Sequence, residues 1–342
     1  MTDSQSLDEA AVYAYLVQNL PGFDGPMEVT KFQGGQSNPT FMLKTPSHSY
    51  VLRRKPPGAL LKSAHAVDRE FRVQTALEDT DVPVCKMHLL CTDENVTGSM
   101  FYIMDYVQGR NFNEPALPML SILDRGKIIA EMSRVLAALH SVDIEAVGLS
   151  DYGPQGNYFE RQVSRWSKQY RASETNNIPA MDALVEALVG RQPEDDGQRT
   201  LVHGDYRIDN MIFDPVGTQC RAVLDWELST IGHPFADLAA VLMQWQLPAG
   251  SEGRGFGGLD RVALGLPSDE EFIAQYCAHR GLDGVSNIGY YLSFAFFRMA
   301  AIIQGVHKRA LDGNASNPER AMELGALVPV FAQYGLDALK PS

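Results

Sequence analysis

The sequence predicts an α+β protein: a small antiparallel β lobe carrying one helix, followed by a larger helical lobe. Three observations carry this expectation. At 342 residues the chain exceeds the size at which a single hydrophobic core usually stops growing, so two lobes are expected. Short strand-like runs separated by turn residues crowd the N-terminal part. From Met119 onward helical periodicity takes over, with one strand-like interruption.

Between residues 7 and 20, Tyr13, Leu16, Val17 and Leu20 share a helical face, and Pro21-Gly22 ends the pattern. Residues 27–33, 40–44 and 50–54 read as strands of an antiparallel meander, split by Gly34-Gly35 and Pro46-Ser47. A helix over residues 64–78 places Val67, Phe71 and Leu77 on one side. Glu70 falls within that apolar side, where a carboxylate requires a buried cation. Strands over 87–91 and 100–104 complete a unit of five strands and one helix. The boundary is expected at Gln108-Gly109, dividing the chain into residues 1–107 and 108–342. Helices are expected over 120–140, 158–171, 181–189, 235–245, 269–280, 288–310 and 318–334, the last broken at Pro329. The strand interruption comprises residues 211–214 and 221–224. Polar or Gly-rich loops are expected over 191–198 and 249–258.

Composition narrows the function classes. Hydrophobic residues at 45% and charged residues at 21% are ordinary for a globular protein and exclude global disorder. A net charge of −13 repels phosphate backbones, which argues against nucleic acid as the main partner. Cys85, Cys91, Cys220 and Cys277 show no CxxC spacing, so neither a disulfide framework nor a zinc site is expected, and a reducing cytoplasm is. Residues 1–10 hold no basic or apolar export signal. The apolar stretch 288–297 is cut by Arg298 and too short to span a bilayer, so a buried helix is expected and no membrane partner.

The chemistry concentrates in His203-Gly204-Asp205-Tyr206-Arg207-Ile208-Asp209-Asn210 and in Asp225-Trp226-Glu227. The strands between them fold about Pro215-Val216-Gly217, which brings Asn210 and Asp225 opposite each other at the open end of a hairpin. An amide oxygen and a carboxylate suit Mg²⁺ and leave room for phosphate oxygens and water. Asp205, five positions before Asn210, can face an acceptor hydroxyl as general base or positioning group.

These motifs resemble the catalytic and metal-binding loops of the aminoglycoside phosphotransferase-like branch of the protein-kinase-like superfamily. The resemblance covers residues 29–313 and implies a two-lobed, protein-kinase-like fold with ATP and Mg²⁺. In it, Asp205 resembles the catalytic base, Asn210 and Asp225 the Mg²⁺ ligands, and His203 a brace of the loop. Arg207 matches the place where protein kinases keep a lysine near the transferred phosphate. Gly34, Gly35, Ser37 and Asn38 occupy the position of the nucleotide-covering loop, where glycines let the backbone approach phosphate and side chains add donors. Arg53 stands where the family carries its nucleotide-binding lysine, a departure from the pattern, with Lys55 on the same strand face. Arg53 is the favoured cation and Glu70 its expected partner. Asp105, Tyr106 and Val107 occupy the lobe connection, whose backbone binds adenine in the family.

Only nine residues, Trp226 to Pro234, separate Asp225 from the next helix, too few to present a peptide, so the resemblance implies phosphoryl transfer to a hydroxyl of a small molecule. His233 reads as a loop or core histidine, and Asp237 as a helix-start carboxylate bracing the catalytic loop. The wording is closest to phosphotransferase-like domains associated with acyl-CoA dehydrogenases, which makes a hydroxyacyl-CoA or another metabolite the acceptor hypothesis. Aminoglycosides or amino alcohols are the alternative, with Glu252, Asp260, Asp269, Glu270 and Glu271 as a possible acidic pocket. An alternative of another class is a nucleotide-binding regulatory module without turnover. The aromatic run Tyr290, Tyr291, Phe294, Phe296 and Phe297 fits core or pocket lining, and Arg298, Gln304, Lys308 and Arg309 fit an anionic substrate or solvent. The oligomeric state is not legible.

Overall fold

The computed structural model describes residues 7–32, 38–56, 66–250, 254–315 and 317–340. In chain order the N-terminal elements are α1 (Glu9–Asn19), β1 (Glu28–Lys31), β2 (Thr40–Lys44), β3 (Ser49–Arg54), α2 (Val67–Leu77), β4 (Met87–Cys91), α3 (Glu94–Thr97) and β5 (Phe101–Asp105). Three helices follow: α4 (Ile122–His140), α5 (Tyr158–Ser173) and α6 (Pro179–Gly190). Next come β6 (Thr200–Val202), β7 (Met211–Phe213), β8 (Cys220–Val223) and β9 (Thr230–Gly232). The chain ends in α7 (Phe235–Trp245), α8 (Asp269–Arg280), α9 (Ile288–Leu311), α10 (Pro318–Gly325) and α11 (Val328–Ala338).

Packing divides the chain into two units. The first comprises Met1–Phe112, Glu145–Leu149 and Ile208–Ser229, and the second Asn113–Ile144, Ser150–Arg207 and Thr230–Ser342. The expected division after residue 107 is therefore crossed twice, because the β7–β8 hairpin packs with the N-terminal sheet. Gly109 and Arg110 show how. The Arg110 and Phe213 backbones exchange two hydrogen bonds of 2.8 Å, and the Arg110 side chain donates to the Asp214 and Gly217 carbonyls across the hairpin turn.

In the first unit, five antiparallel strands run in the order β1-β2-β3-β5-β4. One face buries Leu43, Leu52, Phe101 and Ile103 against Val12, Leu16 and Leu20 of the α1 region. Tyr13 and Val17, expected on that face, are exposed, since a stripe at every fourth residue already covers the sheet. The other face packs Val51, Tyr102 and Met104 against Val67 of α2 and Ala222 of β8. The single turn α3 was not anticipated. Asp93 caps its start and Gly98, at φ 80°, ends it.

The second unit is helical. On α9 the side chains of Tyr290, Tyr291, Phe294, Phe296 and Phe297 are all buried, so this run is core rather than pocket lining. Phe159 of α5 packs on Tyr291 at 4.9 Å and Phe294 at 5.2 Å between ring centroids. The C-terminal break falls before Pro329, which sits in the first turn of α11, where its missing N–H costs nothing. The antiparallel pair β6·β9 is a second strand element beyond the expected hairpin, too short at three residues a strand to show a period. The four cysteines are free and buried. Among the described residues, no helix is long and apolar enough to cross a membrane.

A Cβ at Gly109 would collide with the Ile212 side chain and the Phe213 carbonyl, and backbone cannot yield cheaply. Gly109→Ala should therefore cost about 1–3 kcal/mol, read as a lower midpoint in denaturant unfolding.

Candidate active site

The first unit builds a charge cluster around Arg53. β3 pairs with β5 so that Arg53 lies directly opposite Tyr102. The Arg53 guanidinium reaches Glu70 of α2 through Nε (3.1 Å) and donates to Asp225 through Nη2 (2.7 Å), with Glu227 at 3.8 Å. Glu70 is 1% exposed and fully engaged: the Tyr102 hydroxyl donates to Oε2 at 3.1 Å and the Asn38 amide to Oε1 at 3.0 Å. The expected buried cation for Glu70 is thus Arg53, and the Asn38 side chain serves this carboxylate. Tyr102 and Glu227 were missed. The cross-strand position of Tyr102 depends on a register that no sequence period states.

Burial pushes the Glu70 carboxyl up to about 7 against the pull of Arg53, with Asp225 and Glu227 adding to the rise. Burial also works against the charge of Arg53, but Glu70, and after it Asp225, hold that group more firmly protonated than usual. These tendencies oppose each other at Glu70. Two hydrogen-bond donors and a guanidinium aimed at it describe the ionised form, which is the one this geometry holds.

Asn210 closes the 3-10 turn Ile208–Asn210 and is buried, and its carbonyl accepts from Leu224 N–H (2.8 Å), so Asp225 stands one residue beyond its cross-strand position. The Asn111 side chain donates to the Asp209 and Met211 carbonyls, clamping the backbone on either side of Asn210. Asp225 adopts a left-handed conformation, φ 65° and ψ 57°, rare for a non-glycine residue. Its neighbour secures it: Trp226 is fully buried and donates Nε1–H to the Val223 carbonyl at 2.9 Å. Amide and carboxylate oxygens form a hard donor set. Three carboxylates around one guanidinium leave a surplus of negative charge, so these residues fit Mg²⁺.

Residues 203–207 belong to the second unit. β6 delivers His203, fully buried, whose N–H donates to Asp237 Oδ2 at 2.6 Å, while Gly204 N–H donates to Oδ1 at 2.9 Å. Gly204 takes φ 82°, so glycine is required there. Asp205 N–H donates to His203 Nδ1 (3.3 Å), Tyr206 OH to the Met132 carbonyl (2.8 Å) and Arg298 to the Gly204 carbonyl (3.0 Å). These bonds fix the backbone, and the Asp205 carboxylate is half-buried and paired with Arg207 Nε at 3.2 Å. Arg207 therefore addresses Asp205 here. Arg298, expected to meet substrate or solvent, holds the loop. Gln304 donates to the Ser173 carbonyl and Lys308 pairs with Asp312.

Behind the loop, Asp237 at the start of α7 also meets His140 Nε2 at 3.4 Å, and the Tyr276 hydroxyl lies 2.8 Å from His140 Nδ1. The carboxylate can only accept, so Nε2 carries the proton and Nδ1 accepts from Tyr276. Burial holds His140 below its usual pKa. Burial opposes the charge of Asp237, yet the bonds from His140 and the loop hold it below the usual carboxylate range. His233 is buried among Phe159, Phe235 and Tyr291 with Asp196 at 3.2 Å, the core role expected of it.

Other expected residues are placed as follows. Gly34, Gly35 and Ser37 lie outside the described residues. Of the two candidate cations, Arg53 is the one whose side chain enters the cluster. Asp105 ends β5 between two histidines, Tyr106 stacks on Phe32 at 6.4 Å and Val107 packs on the inner sheet face. Of the proposed acidic pocket, Asp269 is paired with Arg261 and Glu271 closes a capping box with Ser268. Glu252 lies outside the described residues.

Comparison with known proteins agrees with this architecture. A family described as "Phosphotransferase enzyme family" matches residues 28–284. Acyl-CoA dehydrogenase family member 10 of Mus musculus is 45% identical over 314 residues, covering 92% of this chain and 29% of that protein, so the chain spans less than a third of that curated relative. The crystal structure of a Ralstonia eutropha protein provisionally named an aminoglycoside phosphotransferase is 45% identical with TM-score 0.90, over 97% of this chain and 98% of that one. An aminoglycoside phosphotransferase solved with ADP and hygromycin B shares the fold at TM-score 0.63 and 14% identity, over 97% of this chain and 100% of that one.

Replacing Arg53 by Ala strands a buried carboxylate and should destabilise by about 3–5 kcal/mol, whereas changing Arg53 and Glu70 together to Met and Leu should restore most of the loss in equilibrium unfolding. The His140–Asp237 pair sets a pH dependence. Both groups are held below their unfolded values, so the stability they contribute is present above those values, near 6.5 and 3.8, and is lost as pH falls through the folded ones. The melting temperature should decline below about pH 6.5, and His140→Gln should remove the part of that decline that begins there.

Proposed function

Because this chain belongs to the phosphotransferase enzyme family, we propose that it transfers the γ-phosphoryl group of ATP, with Mg²⁺, to a hydroxyl of a small molecule. The observation that carries this reading is the connected set Glu70–Arg53–Asp225, which joins the helix of the N-terminal sheet to the hairpin acid through a single guanidinium. Phosphoryl transfer is mostly positioning and charge stabilisation, so residues held rigidly around one charge centre are the machinery it requires.

In this reading Asn210 and Asp225 hold the ion, which supplies charge neutralisation to phosphate oxygens when bound. Arg53 shares Asp225 and presents its remaining N–H groups towards the α and β phosphates, while Glu70 fixes its orientation. Asp205 orients the acceptor hydroxyl and accepts its proton as the O–P bond forms. Arg207, paired with Asp205 at 3.2 Å, orients that carboxylate for the task. Asp105, Tyr106 and Val107 offer backbone groups to the adenine, and the loop containing Gly34, Gly35 and Ser37 covers the phosphates. A hydroxyacyl-CoA is the acceptor favoured by the relative named an acyl-CoA dehydrogenase family member.

ADP release from ATP and Mg²⁺ should appear with one acceptor class in a panel of hydroxyacyl-CoAs, aminoglycosides and amino alcohols. Asp205→Asn should lower kcat by about 10²–10⁴-fold while leaving nucleotide affinity in place. ATP binding without ADP release under every acceptor, indifferent to Asp205→Asn, would instead assign a regulatory nucleotide-binding module.

A further inference from the structure

Away from the catalytic and hairpin residues, the first unit brings His48, His88 and Asp105 to one point on the sheet. Their three ligand atoms lie within 4.8 Å of one another. His48 Nε2 is 2.8 Å and His88 Nε2 2.5 Å from the same oxygen, Asp105 Oδ1. The two imidazole rings stand perpendicular, with centroids 6.1 Å apart, so both Nε2 atoms aim at that oxygen from different directions.

The backbone, rather than chance side-chain rotation, makes this convergence. Asp105 is the last residue of β5, with Tyr50 as its cross-strand partner and its N–H bonded to the Lys86 carbonyl at 2.9 Å. His48 immediately precedes β3, and its backbone closes a turn with Thr45 at 2.8 Å. His88 occupies a register shift in the β4·β5 pairing, between Met87 and Leu89. Such a bulge re-aims one side chain out of the pleat, and here it aims His88 at Asp105. The Tyr50 ring packs against both imidazoles, at 4.3 and 5.3 Å, and limits their rotation.

We propose that His48, His88 and Asp105 form a binding site for a divalent transition metal of the zinc type. Two imidazoles and one carboxylate select Zn²⁺, Co²⁺ or Ni²⁺ over Mg²⁺ and Ca²⁺, which prefer all-oxygen shells. Zinc takes such ligands at about 2.0–2.2 Å, which sets tetrahedral donors about 3.3 Å apart, so small outward movements of side chains already converged suffice. Water completes the coordination, since His48 is 42% exposed and admits solvent. Each ring ligates through an unprotonated Nε2, so the Nε2 proton that meets Asp105 in the metal-free protein moves to Nδ1 or leaves as the metal binds. Bound metal ties the turn before β3, the bulge of β4 and the end of β5 into one staple. The cysteine spacing gave no expectation of zinc because these ligands are not cysteines and come from the turn before β3, from β4 and from β5.

The test is titration of Co²⁺ into the purified, tag-free protein in excess Mg²⁺, followed by visible d–d absorption and competed with Zn²⁺. The expected result is a one-to-one, Zn²⁺-reversible spectrum of a four- or five-coordinate ion and a melting temperature raised by Zn²⁺. His48→Ala and His88→Ala should each weaken binding by on the order of 10²-fold or more, while His279→Ala, on an exposed surface, should not. Circular dichroism of the metal-free variants confirms that they fold. Absence of the absorption band, or binding undiminished in the His48→Ala/His88→Ala double variant, would overturn the proposal and leave a hydrogen-bonded cluster only.

Discussion

The structure of the first unit turns on one guanidinium. Arg53 lies between Glu70 of α2 and Asp225 of the hairpin and pairs with both. Hydrophobic faces fix the sheet and its helix, but they are indifferent to small slips in how a hairpin from residues 208–229 meets them. A charge pair with defined geometry is not. The buried ion pair adds little net stability relative to an apolar substitute, because desolvation offsets the Coulomb gain. Its contribution is registry: a carboxylate accepting from Tyr102 and Asn38 while paired with Arg53 has essentially one arrangement in which all three contacts are made.

That registry has a chemical use. The chain keeps three carboxylates near one cation, a surplus that a divalent ion and phosphate oxygens together would balance. It also accepts a non-glycine residue in a left-handed conformation at Asp225, with Trp226 anchoring the strained turn. In the second unit the same principle operates through Asp237, which collects the backbone N–H groups of His203 and Gly204 and one imidazole. Both acids that the proposed chemistry needs, Asp205 and Asp225, are positioned by backbone bonds and each is paired with an arginine, Arg207 and Arg53 respectively.

The elements with long, clean periods were legible in the sequence. The helices over 235–245 and 269–280 and the strand over 40–44 were expected at the bounds they take. Glu70 was legible as a buried carboxylate because it interrupts an apolar stripe. The faces of α1 were misjudged, since Tyr13 and Val17 are apolar yet unneeded once Val12, Leu16 and Leu20 cover the sheet. The α9 basic and polar residues were ambiguous for the opposite reason: an exposed and a loop-bracing arginine look alike until the Gly204 carbonyl is placed beside Arg298.

The residue types at 203–210 and 225–227 and their order along the chain determined by themselves the family and the donor chemistry, because catalytic loops place their groups by short, local spacings. Tertiary structure alone decided which groups meet. Tyr102 faces Arg53 through strand register, the hairpin joins the N-terminal unit through Gly109 and Arg110, and a bulge turns His88 towards Asp105. Such encounters depend on pairing between segments separated by tens of residues, and local sequence periods carry no information about that pairing.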